Sequence, residues 1–384
     1  MTVEPTVECT FGKHRARWLP DGDHAYAAMA ALIESARATV FLESYLIRAG
    51  EPAATLLAAL LRARARGAQV RLLYDAAGCE GLPADFFASL VAAGGEVRVF
   101  SPARRLRLAF RDHRKLLVCA ARCAIVGGIN IGPEYAGDGI SRGWRDLALQ
   151  IEGPIAATLE ASFAAMYALA PVSPAAILEF RRLVRAVPQQ AGAVRLLTAG
   201  PGWPAGRLSR ALRADLGTAR LVNCISGYFL PPTRIRRALR RCASDGGSVS
   251  LLLAGPTDVP VARYAAEHLY RRLLAGGARL YEYQPQVLHA KLFIMDDVVY
   301  IGSCNLDRRS LDINYELLLR LDWPQLAALG RQIYADSLAH AREVPLADWS
   351  SHRHWWQRLR SLASYWLLTR LDPLVARRRL RSLT

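Results

Sequence analysis

The stretch His289-Ala-Lys-Leu-Phe-Ile-Met-Asp-Asp-Val-Val-Tyr-Ile-Gly-Ser-Cys-Asn305 decides how this chain is read, because His113-Arg-Lys-Leu-Leu-Val-Cys-Ala-Ala-Arg-Cys-Ala-Ile-Val-Gly-Gly-Ile-Asn130 repeats it in outline. Each copy opens on His-x-Lys, and its asparagine follows the histidine by 17 residues in the first copy and 16 in the second. Apolar runs on either side of Asp296-Asp297 predict two strands joined by a tight acidic turn. Side chains two apart on a strand point the same way, so His289 and Lys291 are expected to share one face while Leu292 and Ile294 turn to the core. His113 and Lys115 precede Leu116 to Val126 in the same arrangement. The turns Gly127 to Asn130 and Gly302 to Asn305 then offer backbone amides and an Asn amide to phosphate oxygens. A lone His-x-Lys is usually a solvated strand edge; two in matched context point to function.

The surroundings repeat as well. In the first half Thr39 to Tyr45 reads as a strand, Ala53 to Arg66 as a helix and Gly67 to Asp75 as a strand; a helix then ends at Gly94-Gly95 before Glu96 to Phe100. The second half keeps that order: Ala219 to Tyr228, a basic helix Arg234 to Ala243, Gly246 to Leu253, and a helix Tyr264 to Leu274 ending at Gly276-Gly277 before Ala278 to Tyr283. Such alternation predicts an α/β sheet covered by helices in each half. Between them, Ala170 to Ala193 carries Pro171, Pro174 and Pro188 and suits a linker around a short helix.

A length of 384 residues accommodates two domains, each with its own core. Lys and Arg number 50 against 33 Asp and Glu, a net charge of +17, so the expected partners are polyanions: nucleic acid or an anionic lipid surface. The seven cysteines are odd in number and scattered, which favours a reduced, cytosol-facing compartment and argues against zinc. Met1 to Pro20 has Glu4 and Glu8 and no apolar centre, so no secretion signal is expected. Apolar runs such as Leu56 to Leu61 and Leu116 to Ala121 are too short to span a bilayer. If a membrane is involved, the protein is expected to lie on it.

His289-Ala-Lys291-(x4)-Asp296, with Gly302-Ser303-x-Asn305-x-Asp307, resembles the HKD motif of the phospholipase D superfamily. His113-Arg-Lys115 with Gly127-Gly128-x-Asn130 resembles its partner copy, with Ala120 where the motif has aspartate. Trp144-Arg-Asp146, Ile151-Glu-Gly-Pro154, Glu43-Ser-Tyr45 and Gly67-x-x-Val70-x-x-Leu73-x-Asp75 extend the likeness, over roughly residues 20 to 330, to bacterial cardiolipin synthases. It is greatest to their B form, which lacks N-terminal membrane helices.

The resemblance implies two tandem phospholipase D-like α/β sandwich domains, residues 1–180 and 181–345, related by a pseudo-twofold axis with the active site between them. Residues 346–384 would follow as a basic amphipathic tail. It also implies transfer of a phosphatidyl group onto phosphatidylglycerol through a phosphohistidine, without metal or cofactor. His113, Lys115, His289, Lys291 and Asp296 are its catalytic motif residues; Asn130, Asn305 and Ser303 would bind phosphate. Asp146 and Glu316, each about thirty residues after the histidine of its own half, would hydrogen-bond that histidine. By resemblance His113 attacks phosphorus and His289 protonates the leaving alcohol, with carboxylates fixing the imidazole tautomers. Asp296 falls past the strand in the turn, so its expected work is to hold the hairpin, and Ala120 in the first copy is expected to be tolerated.

From His352 to Thr384 the chain carries Arg353, Arg358, Arg360, Arg370, Arg377, Arg378, Arg379 and Arg381 against the single acid Asp372. Trp355, Trp356, Leu359, Leu362, Ala363, Trp366 and Leu367 recur at helical spacing, and Asp372-Pro373 resembles the start of a second helix. A basic helix with tryptophans on its apolar side suits a lipid interface, here a bacterial membrane approached from the cytoplasmic side; the plainer alternative is a helix packed on the domain. Trp203, Tyr228 and Phe229 read as core or as lipid-channel lining, and Arg308 and Arg309 as solvated or phosphate-facing. A metal-independent phospholipase D or nuclease would share the chemistry, although the tail counts against nucleic acid. A non-catalytic anionic-lipid-binding protein is the third reading. No protein partner is indicated.

Overall fold

The computed structural model describes residues 7–100, 110–170, 172–201, 203, 206–351 and 354–371. The first half contains β1 (Glu8–Phe11), β2 (His14–Leu19), β3 (Thr39–Ser44), β4 (Gln69–Asp75), β5 (Glu96–Phe100), β6 (Lys115–Cys119), β7 (Cys123–Gly127) and β8 (Ala148–Glu152). They form one sheet in the order β1-β2-β8-β7-β6-β3-β4-β5. The second half supplies β9 (Gln190–Ala191), β10 (Val194–Ala199), β11 (Leu221–Ser226), β12 (Phe229–Leu230), β13 (Ser248–Ala254) and β14 (Arg279–Tyr283). After these come β15 (Lys291–Met295), β16 (Val298–Gly302), β17 (Leu306–Asp307), β18 (Glu316–Asp322) and β19 (Ala341–Glu343). Its sheet runs β9-β10-β18-β16-β15-β11-β13-β14-β19, the same order with β19 added at one edge, so the halves are structural repeats.

Both sheets are buried on both faces, which is why β6 and β15 read as continuous apolar runs rather than alternating ones. Leu116 and Val118 of β6 face one core while Leu117 and Cys119 face another. In β15, Leu292 and Ile294 are divided from Phe293 and Met295 in the same way. The outer faces are covered by each half's own helices, Gly22–Ser35 and Glu51–Ala65 on the first sheet and Arg207–Thr218, Thr233–Ser244 and Pro260–Leu274 on the second. The inner faces meet in a common core filled by helices Ile155–Leu169 and Pro324–Leu338. The expectation of two separate cores is thus incomplete, since the halves share a third. The linker holds the short helix Pro174–Ala186, which packs against the common core through Phe180.

The Gly-Gly stops lie where the sequence puts them. Gly94 and Gly277 take φ of +81° and +87° just after helices Ala88–Ala92 and Pro260–Leu274, a conformation that costs other residues about 1 kcal/mol or more. The sequence pattern gave no notice of charge in the common core. Arg114 and Glu43, both fully buried, pair at 3.1 Å, and Asp112 lies beside them. Burial pushes the Asp112 carboxyl well up, and the neighbouring Glu43 carboxylate adds to the effect. The second half has Ala290 and Ile225 at the matching positions of the same register.

Candidate active site

The structure begins β6 and β15 at the lysines, so the histidines stand just ahead of the strands rather than on a shared strand face. Each histidine lies in a short segment that pairs with the opposite half. Asp112 forms a parallel bridge with Tyr315, and Leu288 forms one with Arg145. His113 N donates to Tyr315 O at 3.0 Å while Tyr315 N donates to Arg111 O at 2.8 Å; His289 N donates to Arg145 O and Arg145 N to Val287 O, both at 2.8 Å. The residue after Tyr315 is Glu316, and the residue after Arg145 is Asp146. Each bridge therefore delivers an acid to the other half's histidine.

His113 Nδ1 lies 3.0 Å from Glu316 Oε1, and His289 Nδ1 lies 2.6 Å from Asp146 Oδ2. The expected orienting acids are present, but their pairing is crossed: neither acid serves the histidine of its own half. Both carboxylates are fully buried, and the histidine side chains are only 12% and 6% exposed. Asp146 is further held by Leu147 N at 2.8 Å. Gly128 is what makes room for it, since a Cβ there would come within 2.3 Å of Asp146 Oδ1. At the matching place in the second half stands Ser303, whose hydroxyl donates to Glu316 Oε2 and accepts from Leu317 N. Ser303 was expected on phosphate; its hydroxyl is committed to Glu316 instead.

Electrostatics separates the two pairs. Burial pushes the Glu316 carboxyl up to about 8, with Lys115 pulling the other way. Asp146 is held below the usual carboxylate range: burial opposes this, but the charges of Lys291 and His289 and the His289 hydrogen bond outweigh it. Both imidazoles are pushed down, His113 by burial and by Lys115 and Lys291, His289 by burial and Lys291. Each lysine thus acts on the histidine of the other copy as well as its own, which places all four groups in one site. The lysines are themselves lowered by burial, Lys115 to about 7 and Lys291 to about 8. Lys115 Nζ donates to His113 O at 2.6 Å, and Lys291 Nζ reaches His289 O and lies 2.7 Å from His289 Nδ1.

Asn130 and Asn305 are buried, and each has an amide oxygen without a hydrogen-bond partner. Asn130 Nδ2 donates to Tyr135 Oη at 2.7 Å. Rotating that amide by 180° lets Oδ1 accept the tyrosine proton and frees the NH2 group for an anion.

Asp296 lies apart, in the β15–β16 turn at φ +48°. Its carboxylate accepts from Leu221 N at 2.8 Å and Arg220 N at 3.1 Å, capping the start of β11. These contacts join the hairpin turn to β11. Ala120 takes φ +53° in the matching turn and brings no carboxylate to the start of β3; Ala120 N donates to Thr39 O, as Asp296 N does to Leu221 O, and the turn is tied further by Ala120 N to Thr39 Oγ1 and Ala121 N to Glu160 Oε2 at 3.0 Å.

Aromatic rings wall the histidines, a feature that sequence spacing only hinted at through Tyr228. Tyr45 packs on His113 with centroids 4.8 Å apart, and Tyr135, Trp144 and Tyr228 surround His289 at 5.2, 5.7 and 6.4 Å. Trp203 and Phe229 are instead core residues. Arg309 is close enough to lower His113 by its charge, whereas Arg308 donates to Thr369 O at 3.0 Å and ties the C-terminal segment to the start of the helix Arg308–Asp312. Among the described residues no group of three His, Cys, Asp or Glu is arranged to hold a metal ion.

The C-terminal helix Trp355–Trp366 packs on Pro260–Leu274 through Ser361, which donates to Glu267, and Arg360, 3.6 Å above the Tyr264 ring. Its other side is bare, with Trp355 76% and Trp366 57% exposed and Trp356, Leu359, Leu362 and Leu367 alongside. Packing and exposure thus coexist on one helix. Arg377 to Arg381, Arg353 and the Asp372-Pro373 start lie outside the described residues. No helix among the described residues is long and apolar enough to cross a membrane.

The family model for cardiolipin synthase, phospholipase D-like domain, matches residues 29–167 and 213–336. Cardiolipin synthase A of Pseudomonas putida is 33% identical over 344 residues, covering 87% of this chain and 71% of the relative. A cardiolipin synthase of Geobacillus thermodenitrificans is 33% identical over 306 residues, 78% of this chain and 61% of its own length. These relatives do not single out the B form. Among solved structures, phosphatidylserine synthase of Haemophilus influenzae shares the fold with a TM-score of 0.70 at 14% identity, covering 94% of each chain. Polyphosphate kinase of Porphyromonas gingivalis does so with a TM-score of 0.59 at 15% identity, over 87% of this chain and 49% of the kinase.

Proposed function

Since this chain belongs to the cardiolipin synthase family with phospholipase D-like domains, we propose that it joins two phospholipids by moving a phosphatidyl group through a histidine onto phosphatidylglycerol. The observation that carries this reading is the pair of buried histidine–carboxylate contacts made across the two halves, with a lysine beside each. A phosphodiester exchange needs a nucleophile on one side of phosphorus, a proton donor on the other, and positive charge around the equatorial oxygens. Two imidazoles and two ammonium groups supply these.

The contrast between the carboxylates favours one order of events. Near neutral pH the His113–Glu316 pair holds a proton that the His289–Asp146 pair lacks. His289, with Nδ1–H donated to Asp146, attacks phosphorus through Nε2. The His113 pair gives its proton to the departing alcohol and later takes one from the phosphatidylglycerol hydroxyl that attacks the phosphohistidine. This reverses the order carried by resemblance. Lys115, Lys291, Asn130 and Asn305 stabilise the phosphoryl oxygens, and Ser303 positions Glu316. The aromatic walls limit water, so that an alcohol rather than water resolves the intermediate.

The protein is proposed to work peripherally on the cytoplasmic face of a bacterial membrane, with the bare Trp–Leu side of Trp355–Trp366 in the headgroup region. Seven free cysteines support the reduced compartment. The test is incubation of purified protein with labelled phosphatidylglycerol, with and without EDTA. Cardiolipin plus glycerol under both conditions is expected; phosphatidic acid alone would make the protein a hydrolase. Mass spectrometry after denaturing quench at neutral pH, where the P–N bond survives, should find the phosphatidyl group on His289, and its appearance on His113 would restore the opposite order.

A further inference from the structure

The helix Trp355–Trp366 has two unlike flanks. On one, Leu359, Leu362, Trp366 and Leu367 line an open apolar trough. On the other lies a groove of about 510 Å³, lined by Arg240 of Thr233–Ser244, by His268, Arg271 and Arg272 of Pro260–Leu274, and by Arg358. Leu362 lines both, so the trough and the groove meet at a single side chain. The carboxylate in the groove, Glu267, is almost buried and lies 3.6 Å from Arg263 and 3.4 Å from the Ser361 hydroxyl. Among the described residues no carboxylate comes within ion-pair distance of Arg240, Arg271 or Arg272, unlike Arg320 against Asp215 or Arg342 against Glu282.

We propose that the groove and trough form a lipid exosite. The phosphate of an anionic phospholipid sits among Arg240, Arg271, Arg272 and Arg358, and its acyl chains pass over Leu362 toward Leu359 and Trp366. Guanidinium groups suit a phosphodiester because their N–H donors match two oxygens at once. The neighbouring trough selects an amphiphile: a nucleic acid would neutralise the arginines and leave the exposed leucines and tryptophan in water. The Arg308–Thr369 contact ties the end of this segment to the helix Arg308–Asp312, which follows Asn305 in the chain, so on this proposal an exosite lipid and a lipid at the histidines belong to the same bilayer face. The proposal rests on the membrane-docking part of the function above and is independent of the chemistry.

The test is co-sedimentation with phosphatidylcholine vesicles, with and without phosphatidylglycerol. Each basic residue at an anionic surface contributes about fivefold to partitioning. Arg271→Ala with Arg272→Ala should therefore weaken binding to phosphatidylglycerol vesicles by about 25-fold. Arg17→Ala with Arg122→Ala, which removes the same charge from exposed sites on the first half, should change it little. Leu362→Asn should weaken binding to both kinds of vesicle. The thermal melting temperature in the absence of vesicles should be unchanged in all three, which reports intact folding. Equal losses for the two arginine pairs, or wild-type binding by the Arg271/Arg272 variant, would overturn the exosite. So would tighter binding of a short DNA duplex than of vesicles, abolished by the same variant. Failure to form cardiolipin would leave the vesicle results standing and would count against the proposed function alone.

Discussion

Asp146→Asn tests the crossed pairing directly. The Asp146 carboxylate is buried, ionised and 2.6 Å from His289 Nδ1, 143 residues away in sequence. A charge-assisted hydrogen bond of this kind contributes about 1.5–3 kcal/mol, and one pKa unit corresponds to about 1.4 kcal/mol. Removing the charge should lower the His289 titration by roughly one to two further units and leave His113 nearly unmoved. The asparagine amide can also donate to Nδ1, which favours the tautomer protonated at Nε2 and blocks attack on phosphorus. The corresponding Asp→Asn change in a serine-protease triad costs about 10⁴ in turnover through the wrong tautomer, so a loss of about 10³–10⁴, or roughly 4–5.5 kcal/mol in the barrier, is expected here. The assay is imidazole NMR of the variant, with His113 and His289 assigned by replacement, alongside lipid turnover. Displacement of the His113 signals with those of His289 undisturbed would refute the crossed arrangement. A turnover loss below about tenfold would refute the orienting role.

Other outcomes follow from the two hairpin turns and from the lysines. Asp296→Ala should lower stability by about 1–3 kcal/mol through lost charge-assisted bonds to Arg220 N and Leu221 N while leaving turnover of the folded protein within a few-fold. Ala120→Gly should raise stability by about 1 kcal/mol by relieving a positive φ, and Ala120→Asp should not speed turnover; a hundredfold gain for Ala120→Asp at unchanged stability would show the first half-site to be degenerate. As for pH, Lys115 at about 7 and Lys291 at about 8 lie below their unfolded value, so in the empty site ammonium is lost as pH rises through 7–8. Turnover at low substrate should fall above that range, and a bound phosphate should move the fall to higher pH. Over the window between the folded and unfolded values the unfolded chain binds more protons, so the lysines make the empty protein more stable as pH rises. A Lys115→Met protein with the same pH dependence of melting as wild type would contradict this.

The paired hairpins were legible because β6 and β15 sit at the middle of their sheets, where apolar runs, tight turns and the following glycines all answer to local geometry. The helix–strand order was legible for the same reason, and the Gly-Gly stops with it. The acid pairing was not. In a tandem repeat, an acid that serves its own histidine and one that crosses to the other copy leave the same spacing in the sequence. Only the Asp112–Tyr315 and Leu288–Arg145 bridges distinguish them, and these join segments far apart in the chain. Arg114 and Glu43 were hidden for a related reason. Charge in a strand ordinarily marks a face turned to water, and here it faces the other half. The contact of Ser303 with Glu316 was hidden in the same way, because it depends on where the carboxylate lies in three dimensions and not on the spacing of the turn.

The crossing of Asp146 and Glu316 also bears on how the protein is made. During synthesis the first half leaves the ribosome with His113 and Lys115 but without Glu316, and it holds Asp146 with no histidine to orient. Such a nascent chain has neither histidine–carboxylate contact, so on the proposed mechanism phosphodiester chemistry starts only once the second half has folded against it. Catalysis then works as a checkpoint on assembly: a truncated or misdocked chain is inert toward the lipids around it. Two separately expressed halves, each silent alone, should become active only on mixing.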